Sequence, residues 1–237
     1  MLVMVNLNQR RRQPELMDHL GLDNGLHVQA LQGLERINRL SGSVRILWPP
    51  LRALLRQAGR PLRILDIASG AGDVPIGLWH RARRAGFPVD VEGWDVSPCA
   101  VAYANRQAAA TNADVRFVQA DALITPLDRQ YDAVISSLFV HHLDQEEAVA
   151  LLRRMAEGAR QLVLVNDLIR CRRGYWLANL GTRLLSRSRI VHVDGPLSVE
   201  AAFTWSEALA LAGQAGLSGA TVSRRWPARF LLTWKRP

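Results

Sequence analysis

From Arg63 to Asp167 the sequence alternates apolar runs with helix-like stretches, and this constrains the fold more than any other feature. The runs are RILDIA, VDVEGWDV, VRFVQAD, YDAVISSL and QLVLVND, with helical stretches expected over 75–85, 98–110 and 145–159. They are largely continuous in apolar character, as expected of strands whose two faces are both covered by helices. The expectation is an α/β chain with a doubly wound, mostly parallel sheet. The end, GATVSRRWPARFLLTW, holds two more strand-like runs around a proline-containing turn, a C-terminal antiparallel hairpin that brings the sheet to seven strands.

Two helices are expected before the first strand, one over LHVQALQGLERINRL and one starting at WPPLRALLRQAG. Pro49 and Pro50 suit the first turn of the second helix and Gly59 suits its end. Residues 1–60 thus read as an N-terminal helical extension or lid, ahead of a main domain over 61–237. Stretches 172–187 and 204–215 also look helical, TWSE offering a capping box from Thr204 to Glu207. Residues 168–203 form a long insertion on the substrate side. Connections of that length are usually lids or binding elements. With the N-terminal helices it would roof an apolar pocket using Leu40, Trp48, Tyr175, Trp176 and Phe203.

Composition narrows the class. The 237 residues suit one domain with a full core, and 49% hydrophobic and 22% charged residues are ordinary globular values. No run of about 18 apolar residues suggests a membrane span. The start, MLVMVNLNQRRRQ, reverses the charge order of a signal peptide, and Cys99 and Cys171 form no C-x-x-C pattern. A reduced, cytoplasmic setting is therefore expected. The net charge of +9 invites a nucleic-acid reading. Yet of 30 basic residues all but Lys235 are arginine, a skew that reads partly as base composition. The arginines are dispersed without the aromatic interleaving of a stacking platform. Nucleic acid is not the expected partner.

The chemistry starts at LRILDIASGAGDVP, a glycine-rich turn after the first strand. A P-loop needs G-x-x-x-x-G-K-[ST], and no lysine is near. A dinucleotide fingerprint would use Gly70 and Gly72, but its third glycine position is Pro75. Asp66, four residues before Gly70, opposes a phosphate and favours a cationic ligand. The second strand ends in Asp95, followed by Val96, where an acidic residue meets the two hydroxyls of a ribose. The third ends in QADAL, where Asp121, beside Ala122, could accept from an adenine amino group. Each aspartate alone could simply cap the next helix. Together, at the ends of three successive strands, they converge on one crevice.

Over about residues 61–167 the sequence resembles class I S-adenosylmethionine-dependent methyltransferases. Their D-x-G-x-G-x-G motif appears as Asp66, Ala68, Gly70 and Gly72, with Ala68 in place of the first glycine. The resemblance implies S-adenosylmethionine as cofactor and S-adenosylhomocysteine as its product. Asp66 and the turn would lie against the methionine moiety, Asp95 and Val96 at the ribose, and Asp121 with Ala122 beside the adenine.

After the fourth strand comes SSLFVHHLDQEE, similar to a segment that faces the substrate in small-molecule methyltransferases. His141 and His142 are the candidate general bases, since a neutral imidazole can take a proton from an attacking phenol. His142 is the first choice, on the expectation that His141 turns toward the sheet. The plainer reading is that both histidines close the strand. Metal-using quinone-pathway O-methyltransferases resemble E-x-x-E-H here, whereas this chain has Leu138 and His141 at the two carboxylate positions, so no metal is expected. Base N-methyltransferases would show [N/D]-P-P-[Y/F], and the segment has no proline. RINRLSG and DGPLSVEAAFT also resemble, less specifically, methyltransferases accompanying bacterial type III polyketide synthases. The expected function is methyl transfer to a small aromatic or lipid-like acceptor of secondary metabolism. A phenolic, polyketide-derived or quinone-like compound is favoured, and O- over C-methylation. The alternatives are an RNA methyltransferase and a non-catalytic cofactor-binding partner protein.

Overall fold

The computed structural model describes residues 5–18, 22–127 and 131–237; the first residues of the N-terminal extension lie outside these. Helices α1 (Asn24–Ser41) and α2 (Ser43–Ala58) precede the sheet. Then follow β1 (Leu62–Ile67), α3 (Asp73–Arg84), β2 (Val89–Asp95), α4 (Pro98–Ala110) and β3 (Val115–Gln119). The second half runs β4 (Tyr131–Ser137), α5 (Gln145–Gly158), β5 (Ala159–Leu168), α6 (Arg172–Leu185), α7 (Arg189–Ala201), α8 (Trp205–Gln214), β6 (Thr221–Arg225) and β7 (Arg229–Lys235).

The seven strands lie in the order β3-β2-β1-β4-β5-β7-β6. The first five pair in parallel, and β7 runs antiparallel to both β5 and β6, as the α/β pattern and terminal hairpin imply. The chain moves outward from β1 to β3, then returns to lay β4 on the other side of β1. That reversal leaves a crevice at the carboxyl ends of β1 and β4, where ligands bind in such sheets. Successive strand residues point to opposite faces. Leu65, Val134 and Val163 join one apolar cluster with Leu151 and Met155 of α5, while Ile64, Ala133 and Leu162 join another with Leu51 of α2 and Leu78 of α3. Both expected faces of the sheet are therefore covered.

Two local expectations differ from the structure. Helix α2 begins at Ser43, directly after the left-handed Gly42 (φ 79°) that ends α1, so Pro49 and Pro50 lie inside it. The proline rule fails here because Ser43, Ile46 and Leu47 are buried and the apolar face starts before the prolines. Residues 189–201 of the insertion also form a helix, α7, which contains Pro196 and so shows no clear start or stop signal in the sequence. It packs against α1, α6 and the segment over His141 and His142.

Candidate active site

The turn after β1 needs departures from ordinary backbone at three alternate positions. Ala68, Gly70 and Gly72 all have positive φ, at 54°, 51° and 77°. The two glycines do different work. A Cβ on Gly72 would sit 2.7 Å from the Phe117 ring and 2.8 Å from the Ala104 Cβ, so Gly72 permits the close packing of turn, α4 and β3. A Cβ on Gly70 would meet nothing within 4 Å, so this glycine borders open space. Ala68 holds the left-handed conformation without a glycine's freedom, a strain of about 1–2 kcal/mol.

Three carboxyl groups surround this turn. Asp66 is buried, its Oδ1 has no hydrogen-bond partner, and burial, with Asp73 and Asp95 nearby, raises its pKa well above the ordinary value. Asp73, the first residue of α3, is pushed up to about 7 by burial and by Glu35, against the opposing amide of Asn38. Asp95 accepts from the backbone N–H of Gly70 (2.8 Å) and of Ser97 (2.9 Å), which ties the end of β2 to the turn. Next to it Val96 is exposed. Asp121 accepts from the N–H of Leu123 at 2.8 Å, a local turn contact and not the cap of a helix, and Ala122 is buried behind it. Among the described residues four buried side-chain atoms lack a partner, and three of them, on Asn38, Asp66 and Ser69, belong to this turn and its neighbour α1. The cradle is acidic, holds unpartnered atoms on Asp66 and Ser69, and is open at Gly70. Those features fit a ligand that brings a cation and hydrogen-bond donors.

On the other side of the crevice, Leu138 at φ 60° turns the chain out of β4 into a short 3-10 turn over Val140–His142. His141 is buried. Its Nδ1 lies 2.6 Å from Asp167 Oδ1, and its backbone N–H donates to Asp167 Oδ2 at 3.1 Å. Burial opposes the charge on Asp167, but the His141 imidazole and the N–H groups of His141 and Leu168 outweigh it and hold the carboxyl below its usual range. His142 is more exposed, packs over Phe139, and its ring centroid lies 4.4 Å from that of His141. Both Nε2 atoms face Glu15 of the N-terminal segment, at 3.9 Å for His141 and 3.8 Å for His142. These separations are too long for hydrogen bonds. Glu15 also accepts from Ser198 Oγ of α7 at 2.6 Å, and Arg10 donates to the carbonyls of His141 (2.9 Å) and Leu143 (2.6 Å).

Asp73, Asp167 and Glu15 are the candidate site residues that the sequence reading missed, although Asp73 directly follows the glycine turn. Asp167 closes β5 in the same way that Asp95 closes β2, so the strand-end rule had the signal to find it. Glu15 carries no local signal. It also supplies a carboxylate that the E-x-x-E-H comparison sought only near the histidines. Glu15, His141 and His142 bring their ligand atoms within 4.8 Å of one another, a donor set suited to a divalent ion. The expected aromatic roof is not assembled. Trp48 packs in the α2 cluster and Phe203 in the α5 cluster, on opposite faces of the sheet, while Leu40 and Trp176 are exposed.

Residues 64–161 match the methyltransferase domain family. Two curated relatives are demethylmenaquinone methyltransferases. That of Thermus thermophilus is 39% identical over 132 residues, covering 54% of this chain and 58% of the relative. That of Deinococcus radiodurans is 32% identical over 120 residues, covering 50% and 48%. The chain thus spans about half the length of these relatives. Among solved structures, the magnesium protoporphyrin IX methyltransferase of Synechocystis PCC 6803, with bound S-adenosylhomocysteine, superposes with a TM-score of 0.58 at 19% identity, covering 93% of this chain and 91% of that one. The sheet order and hairpin of this chain are those of the class I S-adenosylmethionine-dependent methyltransferase fold.

Proposed function

We propose that this protein methylates a hydroxyl group on a small, apolar aromatic acceptor, with S-adenosylmethionine held at the turn after β1. The observation that carries the cofactor reading is the acidic cradle formed by Asp66, Asp73 and Asp95 around the open side of Gly70, in which the buried Asp66 Oδ1 has no hydrogen-bond partner. A phosphate would be repelled there, whereas an ammonium and a sulfonium would relieve the buried Asp66 and its half-buried neighbours Asp73 and Asp95. Asp95 and Val96 then serve the ribose, and Asp121 with Ala122 serves the adenine. The chemistry that the cofactor supplies when bound is an electrophilic methyl group.

The chain's own task is to place the acceptor and take its proton. His141 is the proposed base. Asp167 holds the proton on Nδ1, which leaves the Nε2 lone pair to accept from the acceptor hydroxyl. His142, beside it and more open, bounds the acceptor site, and Glu15 faces both rings. A phenol or hydroquinone suits this arrangement, because its oxygen becomes a strong nucleophile only on losing that proton. The names of the relatives, demethylmenaquinone methyltransferases, support a quinone-like acceptor, whose hydroquinone form needs the same proton removal whether its oxygen or the adjacent ring carbon takes the methyl. The same histidines and Glu15 could receive a divalent ion, but this reading uses them as acid–base and positioning groups.

Calorimetry tests the cofactor site. S-adenosylmethionine and S-adenosylhomocysteine should bind at roughly micromolar affinity and NAD should not. Asp95→Ala should weaken cofactor binding by about 1–3 kcal/mol, the cost of leaving hydroxyls unpaired. Unchanged affinity in that variant removes Asp95 from the site. Mass spectrometry of products formed from a panel of phenols and hydroquinols then tests the acceptor class.

A further inference from the structure

We propose that the outer face of α6 docks this protein on an anionic lipid bilayer. Trp176, Leu177, Leu180 and Leu184 are 56%, 39%, 59% and 72% exposed. At 100° per residue they fall on one stripe of the helix, opposite the buried Gly174 and Thr182. Scattered exposed leucines are common on folded proteins, but four large apolar side chains aligned along one helix form a continuous face. The charge along this segment has a single sign. Between Leu168 and Val193 the chain has six arginines and no Asp or Glu. Arg170 is buried and paired with Glu207, whereas Arg172, Arg173, Arg183, Arg187 and Arg189 are exposed.

An apolar stripe flanked only by arginines is complementary to a surface with an acyl interior and anionic headgroups. A water-soluble protein partner would have to satisfy the leucines and neutralise five guanidinium groups at once, whereas an anionic bilayer does both. Arginine stems lie along the apolar boundary while their heads reach the phosphates. Among the described residues no helix is long and apolar enough to cross a membrane, so α6 would lie in the plane of the interface. Helix α7 touches both α6 and the His141 turn, so α6 stands one helix away from the acceptor side of the crevice. Surface docking there would bring the enzyme to acceptors dissolved in lipid. The docking itself rests on the α6 surface alone, so it stands or falls separately from the methyl-transfer reading.

Co-sedimentation with vesicles tests it, using phosphatidylcholine alone and phosphatidylcholine with about 30% phosphatidylglycerol. The wild-type protein should bind the anionic vesicles at least about tenfold more tightly than the neutral ones. That binding should weaken as salt rises from about 0.1 M to about 0.5 M. The double variant Leu180→Ser with Leu184→Ser should lose at least about tenfold in binding. Both positions are exposed, and unchanged cofactor affinity would show that the variant stays folded. Leu209→Ser, on the partly exposed α8, should bind vesicles as the wild type does. Absence of binding to anionic vesicles, equal binding to neutral ones, or full binding by the double variant would each overturn the proposal. So would a wild-type dimer, seen by sedimentation, that the double variant abolishes without any vesicle binding, because α6 would then be a self-association face.

Discussion

The proposed cofactor side of the crevice and the proposed acceptor side differ in where their residues come from. On the cofactor side Asp66, Gly70, Asp95 and Asp121 lie at consecutive strand ends, within 56 residues of one another in sequence. On the acceptor side Glu15, His141, Asp167 and Ser198 come from the N-terminal segment, the β4 end, the β5 end and α7. The first set is positioned by the sheet, since parallel register brings the ends of β1, β2 and β3 level. The second set is positioned by hydrogen bonds between segments that are far apart in the chain. The cofactor side can therefore be read one element at a time, whereas acceptor chemistry depends on how the extension and the insertion close over the sheet. One buried group spans both. Arg229 of β7 donates to Ser43 (2.5 Å) and Ser41 (2.6 Å), and burial lowers its pKa to about 10 although Asp167 and Asp73 both favour its charge.

The largest expected effect separates the two sides cleanly. His141→Ala should lower kcat about 10²–10⁴-fold and leave cofactor affinity unchanged, because it removes the base without touching the turn. Asp167→Asn should lower kcat in the same direction by a smaller factor, since an amide no longer fixes the Nδ1–H tautomer. His142→Ala should raise KM more than it lowers kcat. Rapid-quench kinetics alongside calorimetry would check all three. If His141→Ala turns over normally while His142→Ala does not, the base is His142, as the sequence reading preferred, and the Asp167 contact is structural.

That reversal of preference shows where the sequence stops being informative. The seven strands, the hairpin and the acidic strand ends were legible because each follows from a local pattern: continuous apolar runs, a turn with glycines, a carboxylate before the loop. His141 was expected to turn toward the sheet, and it does. The strand-end rule applied to β5 points to Asp167, but only the fold shows that the inward turn of His141 brings its Nδ1 to that carboxyl group. Glu15 was invisible for a different reason. It lies 126 residues before His141, and only the docking of the N-terminal segment against α7 makes them neighbours. Helix α7 was hidden by Pro196, and the roof of aromatics was misjudged because Trp48 and Phe203 satisfy opposite faces of the sheet.

A smaller effect, confined to the cofactor side, comes from Asp73. Its folded pKa, raised to about 7, exceeds that of the unfolded chain, so the folded protein binds more protons between about pH 4 and pH 7. Its contribution to stability without ligand is therefore greatest at low pH and falls as pH rises through that window, levelling off above about 7. A cationic ligand reverses the preference, because it favours the ionised carboxyl group. S-adenosylmethionine affinity should then rise up to about tenfold from pH 6 to pH 8, with proton release on binding near pH 6. S-adenosylhomocysteine, which lacks the sulfonium charge, should show a shallower rise. Calorimetry in buffers of different ionisation enthalpy reads both quantities, and affinities independent of pH would take Asp73 out of the ligand's field.

The smallest effect concerns the turn alone and asks whether its backbone is shaped for the ligand at the expense of stability. Ala68 and Gly70 both hold positive φ. Glycine at 68 would remove a strain of about 1–2 kcal/mol from the folded state, but it would also loosen the unfolded chain by about 0.4–1 kcal/mol. Ala68→Gly should accordingly stabilise the ligand-free protein by about 0.5–1 kcal/mol, read as a higher urea midpoint at constant m. Gly70→Ala should act in the opposite direction. The added methyl meets no protein atom within 4 Å, so its cost should be backbone strain alone, less the unfolded-state gain. The two variants should thus move stability by similar small amounts with opposite signs. Cofactor affinity should distinguish them more sharply, because the methyl on residue 70 would project into the space assigned to the ligand, whereas Ala68→Gly adds no atom there. If Gly70→Ala binds cofactor as the wild type does, that space is not the cofactor's, and the turn owes its glycine to backbone conformation only.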